Sequence, residues 1–200
     1  SLTASTGVDA LTHAIEAYTC KVSQPLTDAW ALHAIELISA NIVEAVENGS
    51  NIEARENMLN GSLMAGAAFI NSNVGAVHAI SETIGAWFDT PHGVGNSIFL
   101  PYVMKYNVPA NPERFAEVAR RLGIDGTGMT TEELAYAGAE KIKELNERVK
   151  IPKLKDLDYI KEEDFRAIAK RSAENVLSED NARAIDADAY LELIYEAYNA

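Results

Sequence analysis

Apolar residues along this chain recur at three- and four-residue steps almost from end to end, the signature of helices with one buried face. Over 6 to about 22, Val8, Leu11, Ala14, Ile15 and Tyr18 mark such a face. The break at Ser23-Gln24-Pro25 precedes a second helix. It has Thr27 as N-cap, a stripe of Leu32, Ile35, Ile38, Ile42, Val43 and Val46, and Gly49 as its stop. Asn51 opens a third helix whose later half, 63–70, is rich in Ala and Gly. Small residues permit close helix approach, so this half is expected at the centre of the packing. A helical pattern over 75–87 is interrupted by Asp89-Thr90-Pro91-His92-Gly93, and apolar residues then resume through Met104. Asn111-Pro112 is an N-cap followed by Pro at the first helical position, for a helix running to Gly123. Thr130-x-x-Glu133 is a capping box for a helix to about Lys150. Shorter helices are expected at about 162–176 and 187–199, with a turn-rich connection over 150–160. Sustained period-2 alternation is missing, so the pattern predicts an all-α bundle of seven to nine helices.

The 200 residues suit one domain, and 48% hydrophobic against 24% charged residues suits a packed one. Thirty acidic against seventeen basic side chains give a net charge of −13, which repels phosphate backbones and anionic lipid. Nucleic acid and membrane surfaces are therefore not expected partners. The longest apolar runs fall short of the ~18 residues of a membrane span. The single cysteine, Cys20, cannot form an internal disulfide, which fits a reducing cytoplasm, and is expected to pack as a small apolar residue. The chain opens at Ser1-Leu2-Thr3 without an initiator Met, as an excised piece of a longer protein would.

Chemistry concentrates in the histidines, of which there are four. Asp9 and His13 are four apart in a helical pattern, which puts their side chains on one face about 5–6 Å apart at Cβ. His78 lies in a small-residue helix, and His92 in the interruption after it. A carboxylate and imidazoles so placed can converge on one ion, and one oxygen with three nitrogens suits Fe²⁺, Zn²⁺ or Mn²⁺. Other readings of the same residues are a surface ion pair for Asp9 with His13, and a capping box at Thr6-x-x-Asp9. His33, inside the second helix, reads as a structural or surface histidine. Gly93-Val94-Gly95 is too short for a dinucleotide loop and reads as tight packing beside a ligand.

The run Thr3-Ala4-Ser5-Thr6-Gly7-Val8-Asp9-Ala10-Leu11-Thr12-His13-Ala14-Ile15-Glu16-Ala17-Tyr18 resembles the first signature of the iron-containing (group III) alcohol dehydrogenases. Gly75-x-Val77-His78-x-x-Ser81-Glu82-x-Ile84-Gly85-Ala86-x-x-x-Thr90-Pro91-His92-Gly93-x-Gly95 resembles the second. Asn96-x-Ile98-x-Leu100-Pro101-x-Val103-Met104-x-Tyr106-Asn107 continues it. The resemblance implies that Asp9, His13, His78 and His92 bind the catalytic metal, Fe²⁺ with Zn²⁺ as the other choice. It also implies that residues 1–200 are the helical metal-binding domain, of the dehydroquinate synthase-like kind. The NAD(P)-binding α/β domain of the family has no counterpart in this sequence.

The implied reaction is hydride transfer between nicotinamide and a small primary alcohol, diol or matching aldehyde, with the metal polarising the oxygen. Many relatives carry a His where this chain has Glu82, one turn after His78. Glu82 is accordingly a candidate for proton transfer, for orienting a ligand imidazole or for ligation. Trp87 and Phe88 flank the loop that carries His92, as cleft lining or as core. The resemblance further implies a cytoplasmic enzyme that forms homo-oligomers, inactive without its nicotinamide-binding half. Two other functions compete: a metal-dependent lyase of the dehydroquinate synthase type, and a non-catalytic helical interaction domain. Asp9 in place of Glu, and the scarcity of basic residues around His78 and His92, disfavour the lyase.

Overall fold

The apolar stripes close against one another in nine α-helices, with no strand, among the residues that the computed structural model describes, 2–200. They are α1 (Leu2–Thr19), α2 (Pro25–Glu47), α3 (Ile52–Ile70), α4 (Ala76–Phe88), α5 (His92–Asn107), α6 (Pro112–Arg121), α7 (Thr131–Arg148), α8 (Phe165–Ala173) and α9 (Ala187–Asn199). Short 3₁₀ turns at 108–110, 154–156, 162–164 and 176–180 join the later helices. The connection over 150–160 is packed rather than free, with Leu154, Leu157 and Ile160 buried.

The axis of the bundle is α1, where Val8, Leu11, Ala14 and Ile15 are at most 1% exposed. The other deeply buried stretches are the first two turns of α4 and the part of α5 from Gly95 to Met104. The third helix is not central. Ala54, Gly61, Ala65 and Ala68 face inward, and a Cβ on Gly61 would stand 2.6 Å from Ile38 Cγ1, so the small residues do permit close approach. The opposite face of α3 carries Ile52, Leu59, Leu63 and Ile70, each 72–73% exposed.

Helix ends show how local chemistry sets the boundaries. Asn51 caps α3, Asn111 caps α6, and Thr130 with Glu133 forms a reciprocal box on α7, all as the sequence implies. Two expectations need correction. Thr27 is not the N-cap of α2 but its third residue, where its hydroxyl accepts from the backbone N–H of the actual cap, Gln24. Thr6 is not a cap either. α1 begins at Leu2, so Thr6 sits within it and its hydroxyl donates back to the Leu2 carbonyl at 2.9 Å. The capping-box reading of Asp9 falls with it.

By length and mean hydropathy, 1.3 over eighteen residues, α2 could cross a membrane, which amends the expectation from apolar runs alone. Its Ala31, Ala34, Ile35, Ile38 and Ile42 are instead core, packed against α1 and α3.

Inside α5, Pro101 supplies no N–H to the carbonyl of Ser97. The buried side chain of Asn146 on α7 donates to that carbonyl at 2.7 Å. Arg114 does similar work at the far end of α1. Its Nε donates to the Tyr18 carbonyl at 2.8 Å, left over by the helix terminus, while Nη2 reaches Asp28 Oδ1 in the first turn of α2. One guanidinium thus ties α6 to α1 and α2. Replacing Arg114 with Met is expected to lower unfolding free energy by about 1.5–3 kcal/mol, read from the urea midpoint. An unchanged midpoint would show the clamp to be idle.

Candidate metal centre

Three buried helices deliver one side chain after another to the same point. α1 carries Asp9 and His13 one turn apart, α4 carries His78 at its third residue, and α5 begins with His92. One ligand atom from each of the four lies within 4.8 Å of the corresponding atom of every other. His92 can reach Asp9 because α5 starts against α1. A Cβ on Gly93 would stand 2.6 Å from the Ser5 carbonyl oxygen and 3.3 Å from Asp9 Cβ, so only glycine allows the approach. Tight packing beside the site is thus what Gly93 provides.

The hydrogen bonds of the rings decide where their lone pairs point. His13 Nδ1 donates to the Asp9 backbone carbonyl at 2.9 Å, leaving Nε2 for the site. His78 Nδ1 lies 2.6 Å from Glu16 Oε2. The two Nε2 atoms face one another at 3.0 Å. His92 Nε2 lies 3.6 Å from Asp9 Oδ1. Two donors about 2.1 Å from one cation would be about 3.0 Å apart at right angles and about 3.4 Å apart in a tetrahedron, so these separations match a single ion. Burial pushes the His13 imidazole below its ordinary value of 6.5, and the neighbouring His78 adds to this, while Asp9 and Glu16 pull the other way. A neutral imidazole is the form that a cation requires.

Asn96, fully buried on α5, completes the wall. Its Nδ2 donates to Asp9 Oδ1 at 2.6 Å and lies 3.0 Å from both His78 Nε2 and His92 Nε2. Two amide hydrogens cannot serve three acceptors, and the Asn96 Oδ1 is buried without a partner. The residues gather more electron pairs than the surrounding hydrogens can satisfy, as a cation site does.

Sequence reasoning missed Glu16 and Asn96. Glu16, 5% exposed, is a charged residue on the stripe of Asp9 and His13, three positions beyond His13, amid Ala14, Ile15, Ala17 and Tyr18. That incongruity was the available signal. Glu82 stands elsewhere: it is exposed, and its carboxylate accepts from Asn175 Nδ2 at 2.9 Å, outside the group of four. The carboxylate that meets the His78 ring is Glu16. His33 is on the surface, 3.8 Å from Glu36, and Cys20 is buried, with its thiol pushed up by burial. Trp87 is 48% exposed and packs edge-on to Phe88.

A helical bundle that focuses one carboxylate and three imidazoles on a shared point is, by fold and site, a candidate mononuclear metal-binding domain. Comparison with known proteins gives its family. Residues 3–198 match the model of the Fe-containing alcohol dehydrogenase family, C-terminal, and the chain belongs to that family. It is 48% identical over 183 residues to the 1,3-propanediol dehydrogenase of Klebsiella pneumoniae, covering 91% of this chain and 46% of the relative. Over 196 residues it is 39% identical to the NAD-dependent methanol dehydrogenase of Bacillus methanolicus, covering 98% and 51%. The crystal structure of a 1,3-propanediol oxidoreductase superposes with a TM-score of 0.96 at 43% identity, over 98% of this chain and 51% of that one. The chain spans about half the length of the curated relatives it matches.

Since the Ser5 backbone cannot yield, Gly93→Ala is expected to displace the start of α5 and weaken Zn²⁺ retention on the order of tenfold, with helix content by circular dichroism unchanged. Retention equal to the parent would show that the approach of α5 to α1 does not set the site.

Proposed function

We propose that this chain is the metal-holding part of an NAD(P)-dependent alcohol dehydrogenase or aldehyde reductase acting on a small primary alcohol, a diol or the matching aldehyde. The observation that carries the reading is the convergence of Asp9, His13, His78 and His92 within 4.8 Å, in a chain of this family. These four residues would hold the ion. Iron suits the set slightly better than zinc, because four protein ligands close a tetrahedral shell, whereas iron accepts a fifth or sixth partner. When bound, the metal supplies Lewis acidity that polarises the alcohol or carbonyl oxygen, and the nicotinamide takes or gives the hydride.

The protein's own residues do the rest. Asp9 contributes the one negative charge of the set, which adds coulombic attraction to the hold of three neutral imidazoles on a divalent ion. The Phe69 ring packs against His13 with centroids 4.5 Å apart, which restrains that imidazole. His92, with its side chain 45% exposed, forms the open side where a small substrate would enter. Glu82, one turn along α4 from His78 and open to solvent, is the carboxylate we assign to proton exchange with water. We further propose that the nicotinamide docks mainly on the half of the relatives that lies outside the match.

Elemental analysis of anaerobically purified protein tests the reading. About one ion per chain is expected for the parent, with loss of that ion in His78→Ala and in His92→Ala. A metal-free parent, or variants that keep their metal, would overturn it. The same 200 residues alone are expected to show no NAD-dependent alcohol oxidation, and appreciable turnover would refute the assignment of nicotinamide docking to the other half.

A further inference from the structure

We infer that Glu16 is a positioning residue that fixes the tautomer of His78 and so keeps His78 Nε2 bare for a cation; the inference rests on the metal site proposed above. Among the described residues Glu16 is the only buried carboxylate. Its two oxygens are separately engaged. Oε1 accepts from the backbone N–H of Val77 at 2.8 Å, and Oε2 lies 2.6 Å from His78 Nδ1. An ionised carboxylate only accepts, so the ring hydrogen must reside on Nδ1. Nε2 then carries a lone pair, and it is this atom that faces His13 Nε2 at 3.0 Å and Asn96 Nδ2 at 3.0 Å.

The charge of Glu16 is tolerated in the core for a local reason. It sits at the N-terminus of α4, where Gly75 offers no capping side chain and the free N–H groups and helix dipole favour an anion. The N–H of Ala76 is met from elsewhere, by Asn181 Oδ1 at 3.3 Å. Glu16 therefore has two separable duties, capping α4 and setting the hydrogen on His78, and glutamine separates them. A glutamine oxygen can still accept from Val77, whose backbone N–H cannot turn away. The amide NH₂ is then left facing Nδ1, where a donor meets a donor unless the ring hydrogen moves to Nε2. Glu16→Gln is thus expected to keep the helix cap and to place a hydrogen where the cation should bind. Turning the amide over does not escape the conflict, because it sets NH₂ against the Val77 N–H.

The test reads the tautomer directly, through long-range ¹H–¹⁵N correlation of the histidine ring nitrogens in the metal-free protein. In the same preparations, Zn²⁺ affinity is measured by competition with a chelator, and stability by thermal unfolding. The parent is expected to show His78 protonated on Nδ1. Glu16→Gln is expected to show it protonated on Nε2, with Zn²⁺ affinity lowered about 10- to 100-fold and helix content retained. A parent His78 protonated on Nε2 would overturn the inference without recourse to any variant, as would a folded Glu16→Gln protein that binds Zn²⁺ as tightly as the parent. A parent with the Nδ1 tautomer that takes up no Zn²⁺ would overturn the metal site itself, and with it the purpose assigned to Glu16.

Discussion

The lone pairs of His13 Nε2 and His78 Nε2 point at each other across 3.0 Å, and each ring's other nitrogen is already committed as a donor. Two such pairs repel unless positive charge comes between them. Much of the architecture can be understood as the means of holding them there regardless. α1 is buried along most of its length, so Asp9 and His13 cannot rotate away. The cap supplied by Glu16 and Asn181 pins the first turn of α4 and with it His78. Gly93 lets α5 start against the backbone of α1 and delivers His92. Remote contacts such as the Arg114 clamp and the Asn146 bond to Ser97 keep α1 and α5 in register with the remainder of the bundle. The arrangement is preorganised by packing, so the cost of assembling like groups falls on folding rather than on binding.

The order of the helices was legible in the sequence because helical periodicity is a strong signal and no competing strand pattern interferes. α9 falls at the expected residues, and three caps fall where Asn51, Asn111 and Thr130 imply. Errors cluster where local chemistry is ambiguous. A Thr three residues before an Asp reads as a cap, yet the run Leu2 to Ser5 can continue a helix, and burial of Ala4 extends α1 upstream. Small residues in the second half of α3 permit close approach on one face but say nothing about the other, which is why its supposed central place did not follow.

At the site, the four side chains that gather within 4.8 Å were legible through the resemblance of their surroundings to the family signatures, since the four-residue spacing of Asp9 and His13 alone is a weak signal. The groups that hold them were not. Glu16 lies sixty-two positions from His78, and Asn96 eighty-seven from Asp9, so their partnerships exist only in three dimensions. Glu82 is a contrasting case. It shares a helical face with the buried His78, but one turn further along α4 its carboxylate is at the surface, where it accepts from Asn175.

The turn between α2 and α3 acquires an unexpected meaning from the distribution of the four side chains. Residues 48–50 are exposed there, on a short loop that a protease could reach. Severing it leaves Asp9 and His13 on one fragment, His78 and His92 on the other. With a cation shared between them, the two pieces would remain clamped like halves of a cross-linked molecule, and removing that cation would leave packing and the hydrogen bonds from Arg114 and Glu16 to hold them. The ion would then serve as a reversible counterpart of a disulfide, closing a loop that contains both α2 and α3.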